Sequence, residues 1–336
     1  MRKHKVTCLG LGAWGFTLAN LLASNGHHVV SWSRDAKLVK TLQTTQQHPK
    51  FLGHKKEPQL EVTTDLQAAL QHGDVFLESV TSKGVREVLS TILKIQPNFS
   101  QPLILTSKGI EQGTGFLVDE IVVDVMGEKY KPHIGSLSGP SIAKEVMHQL
   151  PTSCVCTAYD PSLMELIKQL FVNPYFRVYP NSDVMGVEFG GAMKNIIAIA
   201  CGISDGLGFG TNTKAALMTR GLHEIRKLSV TKGCNPKTLN GLSGLGDLCT
   251  TCLSHDSRNY RFGVLIAEGL SPEKAQEHIG MVVEGVNTCV SALELGQKAG
   301  IPVPITEAIY NIVYKGLSPK EAVKALLTRE IKEEHL

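Results

Sequence analysis

The chain has 336 residues, 42% of them hydrophobic and 19% charged, and a formal net charge of +3. Against ~100 to 200 residues per domain, that length predicts about two domains with a real core. A mean hydropathy of zero excludes a disordered or bilayer-dominated chain, and so small a net charge excludes a general nucleic-acid footprint.

Met1-Arg2-Lys3-His4-Lys5 ahead of Val6-Thr7-Cys8-Leu9-Gly10 imitates the basic and apolar parts of a signal peptide, but glycines interrupt the apolar run and no convincing cleavage site follows. The eight cysteines (Cys8, Cys154, Cys156, Cys201, Cys234, Cys249, Cys252, Cys289) are irregularly spread, and a chain this large needs no disulfide framework. A cytoplasmic protein is expected. No uninterrupted apolar stretch approaches the ~18 residues that span a bilayer, so no membrane insertion is expected; the longest, 196–203, contains Gly202.

Up to about residue 180, short apolar runs alternate with helix-like segments, the pattern of a mostly parallel sheet covered by helices. Strands are predicted at 5–9, 28–32, 75–79, 103–107, 133–137, 152–157 and 176–179, with a helix at 16–24 closing a βαβ unit between the first two. From Asp183 onward the strand signal disappears and helical periodicity dominates, at 184–201, 214–231, 261–267, 286–299 and 305–314. Ser271-Pro272 and Ser318-Pro319 are ordinary helix starts, the latter with Glu321 completing a capping box. The predicted domains are 1–183 and 184–336: an α/β domain with a Rossmann-type doubly wound sheet, then a mostly α-helical domain.

Gly10-Leu11-Gly12-Ala13-Trp14-Gly15 fits G-x-G-x-x-G directly after the first strand and before a helix. The first glycine permits the tight turn, the second lets the backbone approach a pyrophosphate, and the third packs helix on strand. A NAD-specific site expects an acid at the end of the second strand, yet this strand ends Ser31-Trp32-Ser33-Arg34. Arg34 is placed to meet a 2′-phosphate or to stack on adenine, so NADP as well as NAD is expected; the alternative is a solvated strand-end charge.

Lys108 follows an apolar strand, which sets its amine at the carboxyl edge of the sheet. Lys194 lies in a helix that is small or apolar nearly all round, between Gly190-Gly191-Ala192-Met193 and Asn195-Ile196-Ile197. A snorkelling lysine is one reading. The other is an ammonium in a dry site, with lowered proton affinity, which the paired glycines let a ligand or another backbone approach. Gly241-Leu242-Ser243-Gly244-Leu245-Gly246-Asp247 and Ser257-Arg258-Asn259 are polar, glycine-rich clusters in the helical half, read as a phosphate socket or as an ordinary turn and cap. Cys249-Thr250-Thr251-Cys252 with His255 lacks a second ligand pair at zinc spacing and lies far from an early βαβ unit, so no metal is expected.

Seven motifs in order, Gly10-x-Gly12-Ala13-Trp14-Gly15, Trp32-Ser33-Arg34, Thr106 to Glu111, Leu137 to Val146, Gly190 to Asn195, Ala216 to Gly221 and Gly244 to Leu248, make the chain resemble the bacterial NAD(P)-dependent glycerol-3-phosphate dehydrogenases from about residue 5 to 320. The resemblance implies reversible hydride transfer between NAD(P)H and dihydroxyacetone phosphate, giving sn-glycerol 3-phosphate for phospholipid synthesis, in a homodimer. It gives Lys194 the proton-acceptor role and sets Lys108 against both substrate and cofactor, with Asp247 in the same catalytic group. It implies substrate contacts from Gly139, Ser141, Asn195, Asp247, Thr251, Ser257, Arg258 and Asn259, with Arg258 on the phosphate. Cofactor contacts would come from Gly10, Gly12, Ala13, Trp14, Gly15, Arg34, Lys108, Ala143, Arg258, Val282 and Glu284.

Departures from the family pattern, Ala13 for a frequent Ser, Phe51-Leu52-Gly53 for Tyr-Leu-Pro-Gly and Val80-Thr81-Ser82 for Val-Pro-Ser, bear on cofactor preference and leave the charged residues intact. The competing readings are a dehydrogenase of another hydroxy substrate, a non-catalytic NAD(P)-binding redox sensor, and a zinc or thiol switch on Cys249 and Cys252.

Overall fold

The computed structural model describes residues 2–331 with Glu333 and Glu334, so Met1 and Leu336, the outer limits of the two predicted domains, lie outside the described residues. Strand and helix alternate as β1 (Lys5–Leu9), α1 (Ala13–Ser24), β2 (His28–Trp32), α2 (Ala36–Thr45), β3 (Leu60–Thr63), α3 (Leu66–His72), β4 (Val75–Glu78), α4 (Val85–Ile95), β5 (Leu103–Leu105), α5 (Val118–Met126), β6 (Ile134–Ser138), α6 (Ala143–Met147), β7 (Thr152–Ala158), α7 (Pro161–Phe171) and β8 (Phe176–Pro180). Helices follow: α8 (Val184–Gly206), α9 (Thr211–Ser229), α10 (Asp247–Leu253), α11 (Arg258–Ala267), α12 (Pro272–Ile279), α13 (Glu284–Ala299), α14 (Pro304–Lys315) and α15 (Pro319–Leu327).

The described residues form an eight-stranded sheet in the order β3-β2-β1-β4-β5-β6-β7-β8. The first six strands are parallel and doubly wound; β7 runs antiparallel to β6, and β8 parallel to β7. Leu9 pairs with Trp32 on one side and Glu78 on the other, and Glu78 pairs with Leu105. That register brings the carboxyl ends of the central strands level, so the loops carrying Gly10, Arg34, Ser79 and Lys108 leave from one edge. The central strands read as continuous apolar runs because helices cover both faces: Leu103, Ile104 and Leu105 are all fully buried. β3 escaped prediction because it is an edge strand in which exposed Glu61 separates the two buried residues, Leu60 and Val62.

Predicted helix boundaries are off by up to five residues, and α9 and α11 each begin three residues earlier than expected, at Thr211 and Arg258; two further differences bear on the site. α1 begins at Ala13 and not at 16, because Gly12 is its N-cap, so Trp14 and Gly15 already belong to its first turn. α8 continues to Gly206; it is long and apolar enough to cross a membrane by length and composition, but Glu188 and Lys194 interrupt its apolar run, as expected, and 94% of its most apolar window is buried inside the folded chain. α8 is the core of the helical half. α11 crosses it at unusually short range: a Cβ on Gly202 would stand 2.0 Å from the Tyr260 carbonyl oxygen, and one on Gly263 would stand 2.2 Å from that of Ile199. This contact draws Asn259, at the start of α11, against Asn195 in the middle of α8.

Candidate active site

The turn after β1 is built around glycine. Gly10 has φ +114°, and a Cβ there would lie 2.5 Å from the Ser79 carbonyl oxygen; a Cβ on Gly15 would lie 2.2 Å from that of Gly10. Gly12 is different, with no atom within 4 Å of its virtual Cβ. It caps α1 without a side-chain hydrogen bond, and the first turn holds no acid. The N–H groups of that turn lack intrahelical partners by helix geometry, so beside the open space at Gly12 they suit an anion such as a diphosphate. His48, which no motif had marked, braces the turn. Its Nδ1 accepts from the Lys50 backbone N–H at 3.1 Å, so Nε2–H donates to the Leu11 carbonyl at 3.1 Å. Burial holds its pKa below the usual histidine range, and Phe16 and Phe51 flank the ring at 4.9 and 5.4 Å.

At the end of β2, Arg34 is exposed and pairs with exposed Glu87 at 3.3 Å. Asp35 is the N-cap of α2, its Oδ1 accepting from Leu38 N–H at 2.9 Å. Trp14 and Ala13 are partly buried against the sheet core.

The chemistry concentrates where three segments converge. Lys108 comes from the loop after β5, Lys194 from the middle of α8, and Asp247 from the first turn of α10, behind a π-helical turn at Leu242–Gly246. Asp247 is 1% exposed and divides its carboxylate: Oδ2 accepts from Lys108 Nζ at 2.7 Å, and Oδ1 accepts from Lys194 Nζ. Lys194 also donates to Thr251 Oγ1 at 2.7 Å, whose own proton goes to the Asp247 carbonyl at 2.6 Å. Lys108 donates as well to the Gly139 carbonyl at 3.3 Å. Gly139, with φ +130°, holds its carbonyl there and also accepts from Ser141 Oγ at 3.0 Å.

Gly190 and Gly191 answer the question left open by the sequence: what comes close to them is protein. A Cβ on Gly190 would stand 2.7 Å from the Ser243 carbonyl oxygen, and one on Gly191 would stand 2.9 Å from Ser138 Oγ and 3.4 Å from Lys108 Cδ. One glycine thus seats the turn leading to Asp247 and the other seats the stem of Lys108. The consequence for Lys194 is electrostatic. Desolvation lowers its pKa most, Asp247 pulls it back up, Lys108 lowers it again, and it comes to about 8.

Asn259 Nδ2 donates to Asn195 Oδ1 at 2.9 Å while its own Oδ1 accepts from Gly285 N–H at 2.9 Å, so these two amides tie α8, α11 and α13 together. Ser257 is the N-cap of α11. Arg258 is largely buried and donates from Nη1 to the Val282 carbonyl at 2.9 Å, which leaves most of its fork for a further acceptor. Glu284 reaches across to the sheet domain, accepting from Ser82 Oγ at 2.6 Å and from its N–H at 3.3 Å. Ala143 opens α6 and is half-buried. Glu78, also missed, ends β4 beneath this edge; burial pushes its carboxyl up to about 7, against hydrogen bonds from Ser107 Oγ at 2.6 Å and Val80 N–H at 2.8 Å.

Among the described residues no group of three or more His, Cys, Asp or Glu is placed to hold a metal. His255 lies edge-on against Tyr260 at 5.3 Å, and a hydrogen bond with Cys201, together with burial, pushes the Cys252 thiol up, away from the thiolate.

Comparison with known proteins gives one consistent result. Residues 5–164 match the family model of the NAD-dependent glycerol-3-phosphate dehydrogenase N-terminus, and residues 183–324 match that of its C-terminus. The chain is 56% identical over 333 residues to the NAD(P)+ glycerol-3-phosphate dehydrogenase of Protochlamydia amoebophila, covering 99% of each chain. It is 52% identical over 334 residues to that of Chlamydia caviae, covering 99% of this chain and all of the relative. Among solved structures it resembles the Coxiella burnetii glycerol-3-phosphate dehydrogenase at 35% identity and a TM-score of 0.92, over 97% of this chain and 99% of that one.

Proposed function

The chain belongs to the NAD-dependent glycerol-3-phosphate dehydrogenase family, and from that premise we propose that it interconverts dihydroxyacetone phosphate and sn-glycerol 3-phosphate with NADP or NAD, using Lys194 as the proton acceptor of the alcohol. The observation that carries the reading is the buried Lys194–Asp247–Lys108 cluster at the carboxyl edge of the sheet.

When bound, the nicotinamide supplies or takes up the hydride at the carbinol carbon. In the oxidation direction, neutral Lys194 Nζ takes the hydroxyl proton while Asp247 and Thr251 hold the amine in place and receive the charge it gains. Lys108 lies on the opposite carboxylate oxygen and sets a fixed positive charge against the negative charge that develops on the substrate oxygen. In the reverse direction the Lys194 ammonium returns the proton. Arg258 takes the phosphate by charge-assisted hydrogen bonds, with Ser257 and Asn259 beside it and Gly139 and Ser141 on the sheet side. The cradle at Gly10, Gly12 and Gly15, with Ala13 and Trp14 in the first turn of α1, would hold the diphosphate, and Arg34 the adenosine end. Ala143, Val282 and Glu284 would close on the nicotinamide end.

The domain limits we adopt are 1–183 and 184–336, with α8 as the first helix of the second unit. A homodimer in the cytoplasm rests on the family resemblance, and sedimentation velocity of the purified chain tests the dimer. The activity is tested by loss of NADPH absorbance with dihydroxyacetone phosphate. Turnover that falls at least ~10²-fold in Lys194→Ala is the expected result; a variant indistinguishable from the parent would defeat the assignment.

A further inference from the structure

The loop after α2 projects one side chain across the cleft. It is anchored on the cofactor helix: Phe51 is buried and stacks on Phe16 with centroids 6.1 Å apart, and His48 is wedged between them and bonded to Leu11. Lys50 lies between these two anchors, its N–H held by His48 Nδ1 at 3.1 Å. Its side chain is exposed and crosses to the loop before α13, where Nζ meets the Met281 thioether. The next residue along that loop is Val282, whose carbonyl carries the Arg258 guanidinium.

Lys50 and Arg258 therefore converge on one short loop from opposite sides of the cleft. A thioether is a poor partner for an ammonium. Desolvation, and then the like charge of nearby Arg258, lower the pKa of Lys50. Arg258 in turn feels Glu284, but that carboxylate is engaged by Ser82. Two cations brought together by a rigid loop on one side and a helix start on the other repel unless an anion lies between them, and a phosphate fits both a guanidinium fork and an ammonium.

We propose that Lys50 is a second phosphate-binding residue of the site, clasping with Arg258 a phosphate group that enters between the sheet domain and the helical domain. The inference rests on the function proposed above for its ligand class, since both dihydroxyacetone phosphate and the cofactor diphosphate carry that group. It also gives loop 46–55 a role, in which the aromatic anchors transmit the position of the cofactor helix to a cation on the substrate side.

The test uses the full chain, Lys50→Met and Lys50→Arg. Loss of one charge-assisted hydrogen bond at an exposed rim predicts a ~10-fold rise in KM in Lys50→Met, with Lys50→Arg within ~3-fold of the parent. If the KM for dihydroxyacetone phosphate rises while kcat/KM for unphosphorylated dihydroxyacetone holds, the clasped phosphate is the substrate's. If the KM for NADPH and NADH rises instead, it is the cofactor's. Unchanged KM values for all of them, or equal losses with phosphorylated and unphosphorylated ketone while the KM for NADPH and NADH holds, overturn the proposal. A readout independent of turnover is the stabilisation of the protein by inorganic phosphate in thermal unfolding, expected in the parent and in Lys50→Arg and lost in Lys50→Met. A parent that is stabilised by phosphate through Lys50 yet does not turn over dihydroxyacetone phosphate refutes the activity and keeps the clasp. A parent that turns over, with equal stabilisation in both variants, refutes the clasp and keeps the activity.

Discussion

Replacing Asp247 by Asn tests the electrostatics of the site most directly, because one carboxylate holds both lysines. With a pKa of about 8, Lys194 is neutral in ~10% of molecules at pH 7, whereas an unperturbed lysine near 10.5 would be neutral in ~0.03%, so the site supplies ~300-fold more base. For the parent, kcat/KM of glycerol 3-phosphate oxidation should therefore rise about tenfold per pH unit below about 8 and level off above it. In the reduction direction, which needs the ammonium, kcat/KM should fall as pH rises through the same value. Asp247 opposes the desolvation of Lys194, so losing its charge must lower that pKa further. A contact of ~3 Å at an effective dielectric of ~20 is worth ~5 kcal/mol, and water entry and the Asn amide return much of it, leaving ~1.5 to 3 kcal/mol, or one to two pH units.

The expected result for Asp247→Asn is an oxidation limb displaced to lower pH by that amount, with reduction at pH 7.5 reduced ~3- to 25-fold for want of the proton donor. The assay is the pH dependence of kcat/KM in both directions, with NADPH absorbance as the signal. A variant profile that scales down without moving, or moves to higher pH, would refute the assignment of Lys194 as the titrating group.

Gly12→Val adds a side chain where no atom lies within 4 Å, so the thermal midpoint should hold while NADPH affinity, read by nicotinamide fluorescence, falls at least ~10-fold; Gly10→Ala meets the Ser79 backbone at 2.5 Å and should instead lose ~1 to 3 kcal/mol of stability in denaturant titration. Arg34→Ala breaks an exposed ion pair worth little to the fold, so it should raise the KM for NADPH and leave that for NADH within about twofold; equal effects on both would remove Arg34 from 2′-phosphate binding. Glu188, buried beside buried Asp119, has its pKa raised well above the carboxylate range by desolvation and by that neighbour. A raised carboxyl binds more protons in the folded chain than in the unfolded one, so stability is lost as pH rises above about 4.5 and through the folded-state pKa. Glu188→Gln removes that dependence and should be more stable than the parent at pH 8 by ~1 to 2 kcal/mol, with the gap closing toward pH 5 in denaturant melts; a gap constant with pH would contradict the pairing.

What was legible in the sequence is what local chemistry dictates. The glycine-rich turn declares itself within six residues, and Lys194 stands out because its own helix offers it no polar neighbour. Those signals marked the open turn after β1 and the lysine that the fold buries against Asp247. The parts that escaped are made by contacts between distant residues. Ser82 and Glu284 meet across 202 positions, and neither lies in a pattern that foretells the other. His48 braces Leu11 from a loop with no motif, because a ring held by two backbone groups leaves no trace in spacing. The length of α8 was underestimated for a related reason. Its glycines read as interruptions of an apolar run, whereas in the fold Gly190, Gly191, Gly202 and Gly206 each make room for another segment of the chain.

That seating explains how one aspartate comes to serve two lysines. With Lys194 protonated, the cluster Lys108, Lys194 and Asp247 carries one net positive charge; with Lys194 neutral, it carries none. On the proposed mechanism the acid form would face a carbonyl oxygen that is gaining negative charge and the base form a neutral alcohol, so the same three residues would match the charge of the substrate oxygen in either direction. The match depends on Asp247 touching both amines at once, which requires the turn before α10 to reach α8 at a distance that only Gly190 permits, since a Cβ there would stand 2.7 Å from the Ser243 carbonyl oxygen. An alanine at 190 would push that turn, and Asp247 behind it, away from Lys194, whereas one at 191 would meet the Lys108 stem at an ordinary 3.4 Å and crowd only the Ser138 hydroxyl at 2.9 Å. On the proposed mechanism the requirement for glycine beside Lys194 is therefore geometric, set by the approach of protein to protein, and it falls on Gly190.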